Sequence, residues 1–597
     1  MVTFGRIVHP RVSSTHNATP SRKQLPHPQS WAGVGLALGG LLVLMPRAIA
    51  QTPPLDPVIQ VGIVQRFGEQ PQDQITVEPT TGQSLTLRFK TGEQPQTLTT
   101  TAPVKLDVVM EPLPEPRVTE RVVLSTHRSF ESAEDSAKQW TARGIAVEVA
   151  QPNQWQVWAK RGTYNNPLVR RLLLRNLEAQ GAPNAFVSST VEQEVPRASF
   201  VVNNFRYTRD ELEILPSNNR VNINRTNQPQ NRQLYGGSLR VQPNAYNTYT
   251  LVNHVPTETY LRGVVPHEIG LGAPPTTIQA QAILARTYAL RNLRRFEIDS
   301  YQLCADTQCQ VYRGLTGAAE VSDRAIAATQ GQVLTYRNEL IDALYSSTTG
   351  GVTAAFTDVW NGSDRPYLRP RVDSVQSVWD LTQQPLSDER NFRTFINLSQ
   401  GFNEVGWDTF RWRYDGTLEE IAGGLKQYLQ NRQHPLGRMT RIEQMQVVER
   451  ATGGRVQTLS VQTDAGTVTL EKDEILRALL PPRSLLFYME PIFEEVVPEL
   501  PATDAEASLE PAAEALGEAA AGEPAAAPVP PPQTQRVHTG YAFIGGGLGH
   551  AVGMSQTGAY NLGRLDWSAA RILEFYYPGT QLQPLTEQVI FWRDPDA

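Results

Sequence analysis

Tyr260-Leu261-Arg262-Gly263-Val264-Val265-Pro266-His267-Glu268-Ile269-Gly270 leads, through a Gly/Pro turn, into Thr277-Ile278-Gln279-Ala280-Gln281-Ala282-Ile283-Leu284-Ala285-Arg286-Thr287-Tyr288-Ala289-Leu290. The reading of the chain turns on this stretch. Glu268 stands between an apolar run with a proline and a glycine turn, a setting that partly desolvates a carboxyl and raises its pKa. Thr276 or Thr277 caps a helix expected to run through Arg295. Ala282, Ala285, Ala289 and Leu293 share one of its faces, and small residues there let another backbone approach. Arg286 lies beside that stripe, where pattern alone reads it as a solvated helix arginine.

The surrounding chain is long. Its 597 residues suggest about three to four domains. A net charge of −6 gives no reason to expect nucleic acid as a partner. Arg6, Arg11, Arg22 and Lys23 precede an apolar run from Trp31 to Met45, and Ala48-Ile49-Ala50 offers a cleavage site. This is the pattern of a secretory signal peptide over residues 1–50, with an uncleaved anchor as the alternative. The expected location is outside the cytoplasm, in periplasm or cell wall. The two cysteines, Cys304 and Cys309, then read as a disulfide ahead of a zinc site, which would need two more ligands.

The fold class expected is α+β and multi-domain: a β-rich domain with packed helices, preceded by two smaller modules. Residues 51–120 alternate like short strands and read as a small β module. Residues 121–195 read strand, helix, strand, strand, helix. With Trp155-Gln156-Val157-Trp158-Ala159-Lys160-Arg161-Gly162-Thr163-Tyr164, that order is similar to SPOR domains, which bind glycan strands stripped of stem peptides. Residues 198–590 form the main domain. Residues 491–537, rich in Ala, Pro and Glu, read as a disordered insertion.

Several chemistries fail on spacing. Gly553-Met554-Ser555-Gln556-Thr557-Gly558 has one residue too many for a nucleophile elbow. Gly545–Gly549 lacks the Gly-Lys-Ser/Thr ending of a phosphate loop. An ordinary glycosidase wants two carboxylates. A lytic transglycosylase needs one: the acid protonates the glycosidic oxygen, then takes the proton of the sugar's own C6 hydroxyl as that oxygen closes on C1. Glu268 with Val264, Val265 and Ile269 around it suits that task.

Five ordered blocks resemble the SpoIID/LytB family of stage II sporulation protein D and amidase-enhancer proteins. They are Tyr260–Ile269, Gln279–Ala289, Cys304-Ala305-Asp306-Thr307-Gln308-Cys309-Gln310-Val311-Tyr312, Ser346-Ser347-Thr348-Thr349-Gly350-Gly351-Val352-Thr353 and Gly549-His550-Ala551-Val552-Gly553-Met554-Ser555-Gln556. The resemblance implies peptidoglycan as substrate, Glu268 as catalytic acid/base, and no cofactor. It implies a substrate cleft lined by Arg286, Tyr288, Ser346, Ser347, Thr348, Gly350, Thr353, His550, Ser555 and Gln556. Some members only enhance an N-acetylmuramoyl-L-alanine amidase, which is the alternative function. Zinc-binding relatives carry histidine where this chain has Gln308, which disfavours zinc. Since the fifth block belongs with Glu268, the insertion is expected between adjacent strands of one domain, Leu485–Met489 and Tyr541–Ile544.

Overall fold

Strand Val58–Phe67 buries Ile59, Val61 and Ile63, as its alternating sequence requires. It is hydrogen-bonded on one side to Tyr249–Pro256 and on the other, in parallel, to Leu303–Cys304. The seven-stranded sheet continues through Ser238–Pro243, Leu212–Pro216, Leu85–Thr91 and Gln94–Thr100. The computed structural model describes residues 55–181, 185–225, 228–432, 434–496 and 534–593. The signal segment read from the sequence lies outside the described residues. Among the described residues no helix is long and apolar enough to cross a membrane.

A second sheet packs its apolar face on the first. Ile75, Val77, Leu106 and Phe200 meet Leu85, Leu87, Ile59 and Val61 in one core. Its spine is a 24-residue strand, Val104–His127. The front of that strand pairs with Gln74–Val77, and its end pairs with Trp155–Trp158. The expected boundary near residue 120 therefore falls inside one strand. Residues 51–120 are not a separate β module, because their strands belong to sheets that also contain residues 212–256. Helices Phe130–Ala142 and Pro167–Ala179 complete the 121–195 region.

The central element is helix Pro275–Arg291, shorter than the sequence suggests and buried on all sides from Ala280 to Arg291. Ala282, Ala285 and Ala289 face the core shared with the two sheets. Ala280, Ile283, Leu284 and Tyr288 face a second core with Leu562, Ile572 and Leu573 from the C-terminal helices Gln556–Arg564 and Ala569–Tyr576. Helix Thr257–Glu268 packs beside it. Gly263 permits that packing on its other flank, since a Cβ there would lie 2.1 Å from the Gly314 carbonyl oxygen.

Residues 354–496, joined by the strand Gln535–Gly545, add two three-stranded sheets and the helices Glu389–Asn397 and Leu418–Asn431. In one sheet Phe487–Val496 pairs antiparallel with Gln535–Gly545, with Tyr488 opposite Ile544 and Val496 opposite Gln535. Residues 491–496 and 535–537, expected in the disordered insertion, are thus strand; the centre of the insertion lies outside the described residues. Val496 and Gln535 are placed to be joined by a two-residue turn. Replacing residues 497–534 with Asn-Gly is expected to hold or raise the melting temperature, since closing a shorter loop costs about 0.6 kcal/mol less per halving. Loss of cooperative melting in that variant would count against an independent insertion.

Candidate active site

Glu268 is the last residue of its helix, with Val264 and Val265 fully buried behind it. Its carboxylate is half-buried and accepts a 2.7 Å hydrogen bond from the Val311 N–H. The Tyr345 hydroxyl also donates to it. Burial pushes the Glu268 carboxyl up to about 7, against the lowering pull of those two donors. Among the described residues it has no ion pair and no second carboxylate bonded to it. The group is therefore a lone acid that holds or loses a proton near neutral pH.

A chain of side chains sets its orientation. The Tyr260 hydroxyl donates to Gln310 Oε1 at 3.1 Å, and Gln310 Nε2 donates to the Tyr345 oxygen at 3.2 Å. Tyr345 then passes its own proton donor to Glu268. The sulfurs of Cys304 and Cys309 are bonded, closing the turn that delivers Gln310 and Val311 to the acid. With both sulfurs in the bridge neither is a thiolate ligand, and among the described residues no three His, Cys, Asp or Glu side chains converge on a metal position.

The C-terminal helix holds the other side. Gln556 Nε2 donates to the Glu268 carbonyl at 3.0 Å, and the Tyr560 hydroxyl donates to the Ile269 carbonyl. Gln281, fully buried on the central helix, accepts from Gln556 at 3.5 Å while its own amide nitrogen has no partner. Short parallel pairing of Tyr345–Ser346 with Met554–Ser555 brings the fourth and fifth sequence blocks together. Ser347 is half-buried, whereas Ser346 and Thr348 are buried with hydroxyls that have no partner among the described residues.

Several residues expected on the cleft face elsewhere. Arg286 is 1% exposed and bound to Glu258 at 2.7 and 2.8 Å and to the Gln332 carbonyl at 3.0 Å. A guanidinium out of water requires such a carboxylate, so Arg286 is an interior strut and not a sugar ligand. Thr353 Oγ1 is spent on the Arg369 carbonyl and the Arg371 N–H. Ser555 is fully buried, accepts from the Gly558 N–H as the cap of its helix, and donates to Glu404. Gly350 has φ 72° and lets the loop touch the Gly546 backbone, where a Cβ would come within 2.6 Å. Tyr288 is 6% exposed within the second core.

His550 is also committed. Its Nδ1 accepts from the Val552 N–H at 3.0 Å, and its other nitrogen donates to the Tyr345 carbonyl. Burial, with Arg455 nearby, pushes its pKa down to about 4, so the ring is neutral. It braces the backbone of Tyr345 and packs on Trp360 with ring centres 5.0 Å apart. Tyr345, Gln310, Val311, Gln281 and Tyr560 join the site without a sequence signal for it. Gln310 and Val311 stand in a quoted block, but nothing in their spacing says that a backbone N–H would seek the acid.

Arg286→Met is expected to lower unfolding free energy by about 3 kcal/mol or more, because it strands Glu258. A surface ligand-binding arginine would leave it within about 0.5 kcal/mol, so denaturant melts of the variant separate the two roles.

A family profile described as stage II sporulation protein matches residues 245–336, the span from the Tyr249 strand through Glu268 and the disulfide turn to Tyr336. A second, described as a domain of unknown function (DUF8618), matches residues 354–501. The amidase enhancer of Bacillus subtilis is 26% identical over 393 residues, 59% of this chain and 48% of that protein. Stage II sporulation protein D of B. subtilis is 33% identical over 163 residues, 24% of this chain and 46% of its own length. The Bacillus amyloliquefaciens protein of the same name is 33% identical over 174 residues, covering 26% and 49%. The chain spans about half the length of these curated relatives. With the blocks gathered around Glu268 and these matches in place, the segment that carries the acid, residues 245–336, is similar to the SpoIID/LytB family.

Proposed function

We propose that the protein cleaves peptidoglycan glycan strands, stripped of stem peptides, as a lytic transglycosylase. One observation carries this reading: a carboxyl near pKa 7, oriented by Val311 and Tyr345, with no other carboxylate among the described residues contributing to its shift. In the protonated state Glu268 gives its proton to the glycosidic oxygen as the C1–O bond breaks. The carboxylate left behind is stabilised by the Val311 N–H and the Tyr345 hydroxyl. It then takes the proton from the C6 hydroxyl while O6 bonds to C1. Glu268 ends protonated, no water is consumed, and the product carries a 1,6-anhydro-muramic end. Ser347, half-buried on the hydroxyl loop, is the side chain best exposed to meet the sugar. No cofactor enters the scheme. Action on the wall fits export through the N-terminal apolar segment.

The second reading is a non-catalytic protein that binds glycan and stimulates an N-acetylmuramoyl-L-alanine amidase. It is favoured by the amidase enhancer match over 59% of this chain. Mass spectrometry of denuded strands after incubation separates the two. Anhydro-muramic ends that appear with the parent protein and fall by about 1,000-fold in Glu268→Gln support the transglycosylase. No cleavage by the parent, with stimulation of a partner amidase, supports the enhancer.

The same acid sets a pH profile. Turnover starts from protonated Glu268, so the rate is expected to fall as pH rises through about 7, with no matching acid limb above pH 5. Its folded pKa is raised above the ordinary 4.5, so the folded state binds more protons than the unfolded state between those values. Stability is therefore lost as pH rises from about 4.5 to about 7, and Glu268→Gln removes that share of the slope. A bell-shaped rate profile, or an unchanged stability slope in the variant, would sink the assignment.

A further inference from the structure

The hydroxyl loop is gripped by charges that come from outside the segment matching the sporulation family. Gly350 and Gly351 both have positive φ, 72° and 86°, a conformation that turns neighbouring backbone N–H groups toward a common point. Glu404 fills that point. It is fully buried and accepts from the Thr349 N–H, the Thr349 hydroxyl, the Gly351 N–H at 3.0 Å and the Ser555 hydroxyl. The carbonyls of this loop are taken by two arginines, Arg455 buried and Arg411 half-buried. Arg455 donates to the Thr349 oxygen at 2.7 Å, and Arg411 to the Gly350 oxygen at 2.8 Å. Glu404, Arg411 and Arg455 all lie within residues 354–501.

We infer that residues 354–501 act as a clamp on the hydroxyl loop, with Glu404 holding its amides and Arg411 and Arg455 holding its carbonyls opposite Glu268. The link to the acid is short. Tyr345 begins the loop and donates to Glu268, while Thr557 fastens the Ser347 carbonyl at 3.1 Å one residue after Gln556. The three are positioning residues, and their effect on turnover rests on the transglycosylase reading.

A second buried carboxyl stands beside the clamp. Every bond that Glu404 accepts comes from an N–H or O–H donor. Asp373 is fully buried beside it and hydrogen-bonded to it. Asp373 Oδ1 accepts from Asn403 Nδ2 at 2.8 Å and from the Tyr576 hydroxyl at 2.9 Å. Burial and the neighbouring Glu404 push the Asp373 carboxyl up to about 8. Arg411 and Arg455 supply the positive charge facing the pair.

This makes the two acids unequal. Asp373→Asn leaves all four donors on Glu404 in place, whereas Glu404→Gln turns an amide donor against them. Hydrogen–deuterium exchange of the full chain, read at peptides containing Thr349 and Gly351, tests it. Glu404→Gln is expected to speed exchange there by about tenfold or more and to lower kcat by a similar factor, with the protein still folded. Asp373→Asn should change both by about threefold or less. Equal effects of the two variants, or unchanged loop exchange in Glu404→Gln, overturn the clamp. If Glu404→Gln does not fold, Arg455→Lys replaces it: raised exchange at Thr349 supports the clamp, and unchanged exchange overturns it. A parent protein without turnover but with a protected loop defeats the transglycosylase reading and leaves the clamp standing.

Discussion

Keeping one carboxyl half out of water is the constraint on which the site depends. A buried carboxylate is costly unless donors meet it, and a carboxyl given too many donors stays ionised. Glu268 has two, Val311 and Tyr345, which orient it without pulling its pKa back to that of a surface glutamate. Each donor is itself secured. The Cys304–Cys309 bridge fixes the turn before Val311, Gln310 ties Tyr345 to Tyr260, and His550 holds the Tyr345 carbonyl. The neutral state of His550 matters here, since a charged imidazolium beside the acid would favour the carboxylate.

Charged groups elsewhere in the interior act as struts, each with its partner supplied. Glu258 and Arg286 join the acid's helix to the central helix. Arg291 and Arg365 converge on Asp342, which their charges hold well below the usual carboxylate range. Such pairs add little net stability over apolar packing, but breaking one leaves a stranded charge. They fix which elements meet, and here the elements they fix are those that frame Glu268.

The chemistry of the site was more legible in the sequence than its wiring. Glu268, its apolar backing and the adjacent cysteines stand together in local motifs. The direction of a side chain does not. Arg286 lies on a helix buried on all sides from Ala280 onward, so no polar stripe distinguishes inside from outside. Glu404 and Arg411 sit among short mixed elements and Arg455 just before a strand, and only the fold brings them to the Ser346 loop. The boundary at residue 120 misled for a different reason. Pro112, Pro114 and Pro116 lack the N–H needed for pairing, and the ladder to Phe186–Val202 is interrupted between Pro112 and Arg117. A single strand therefore reads as the end of one module and the start of another.

The strand Val58–Phe67 sets a limit on how far the chain can be shortened from its amino end. It lies between Tyr249–Pro256, which leads into the acid's helix, and Leu303–Cys304, which begins the disulfide turn. A truncation to Val58 leaves the ladder intact but loses the bonds that Asp56 and Pro57 accept from Glu258 and Thr257 at the start of the acid's helix. One that goes further removes the strand between those two and leaves a row of backbone groups unpaired on each. The same bonds that hold the turn under Glu268 thus mark how far a truncation can go before it reaches the site.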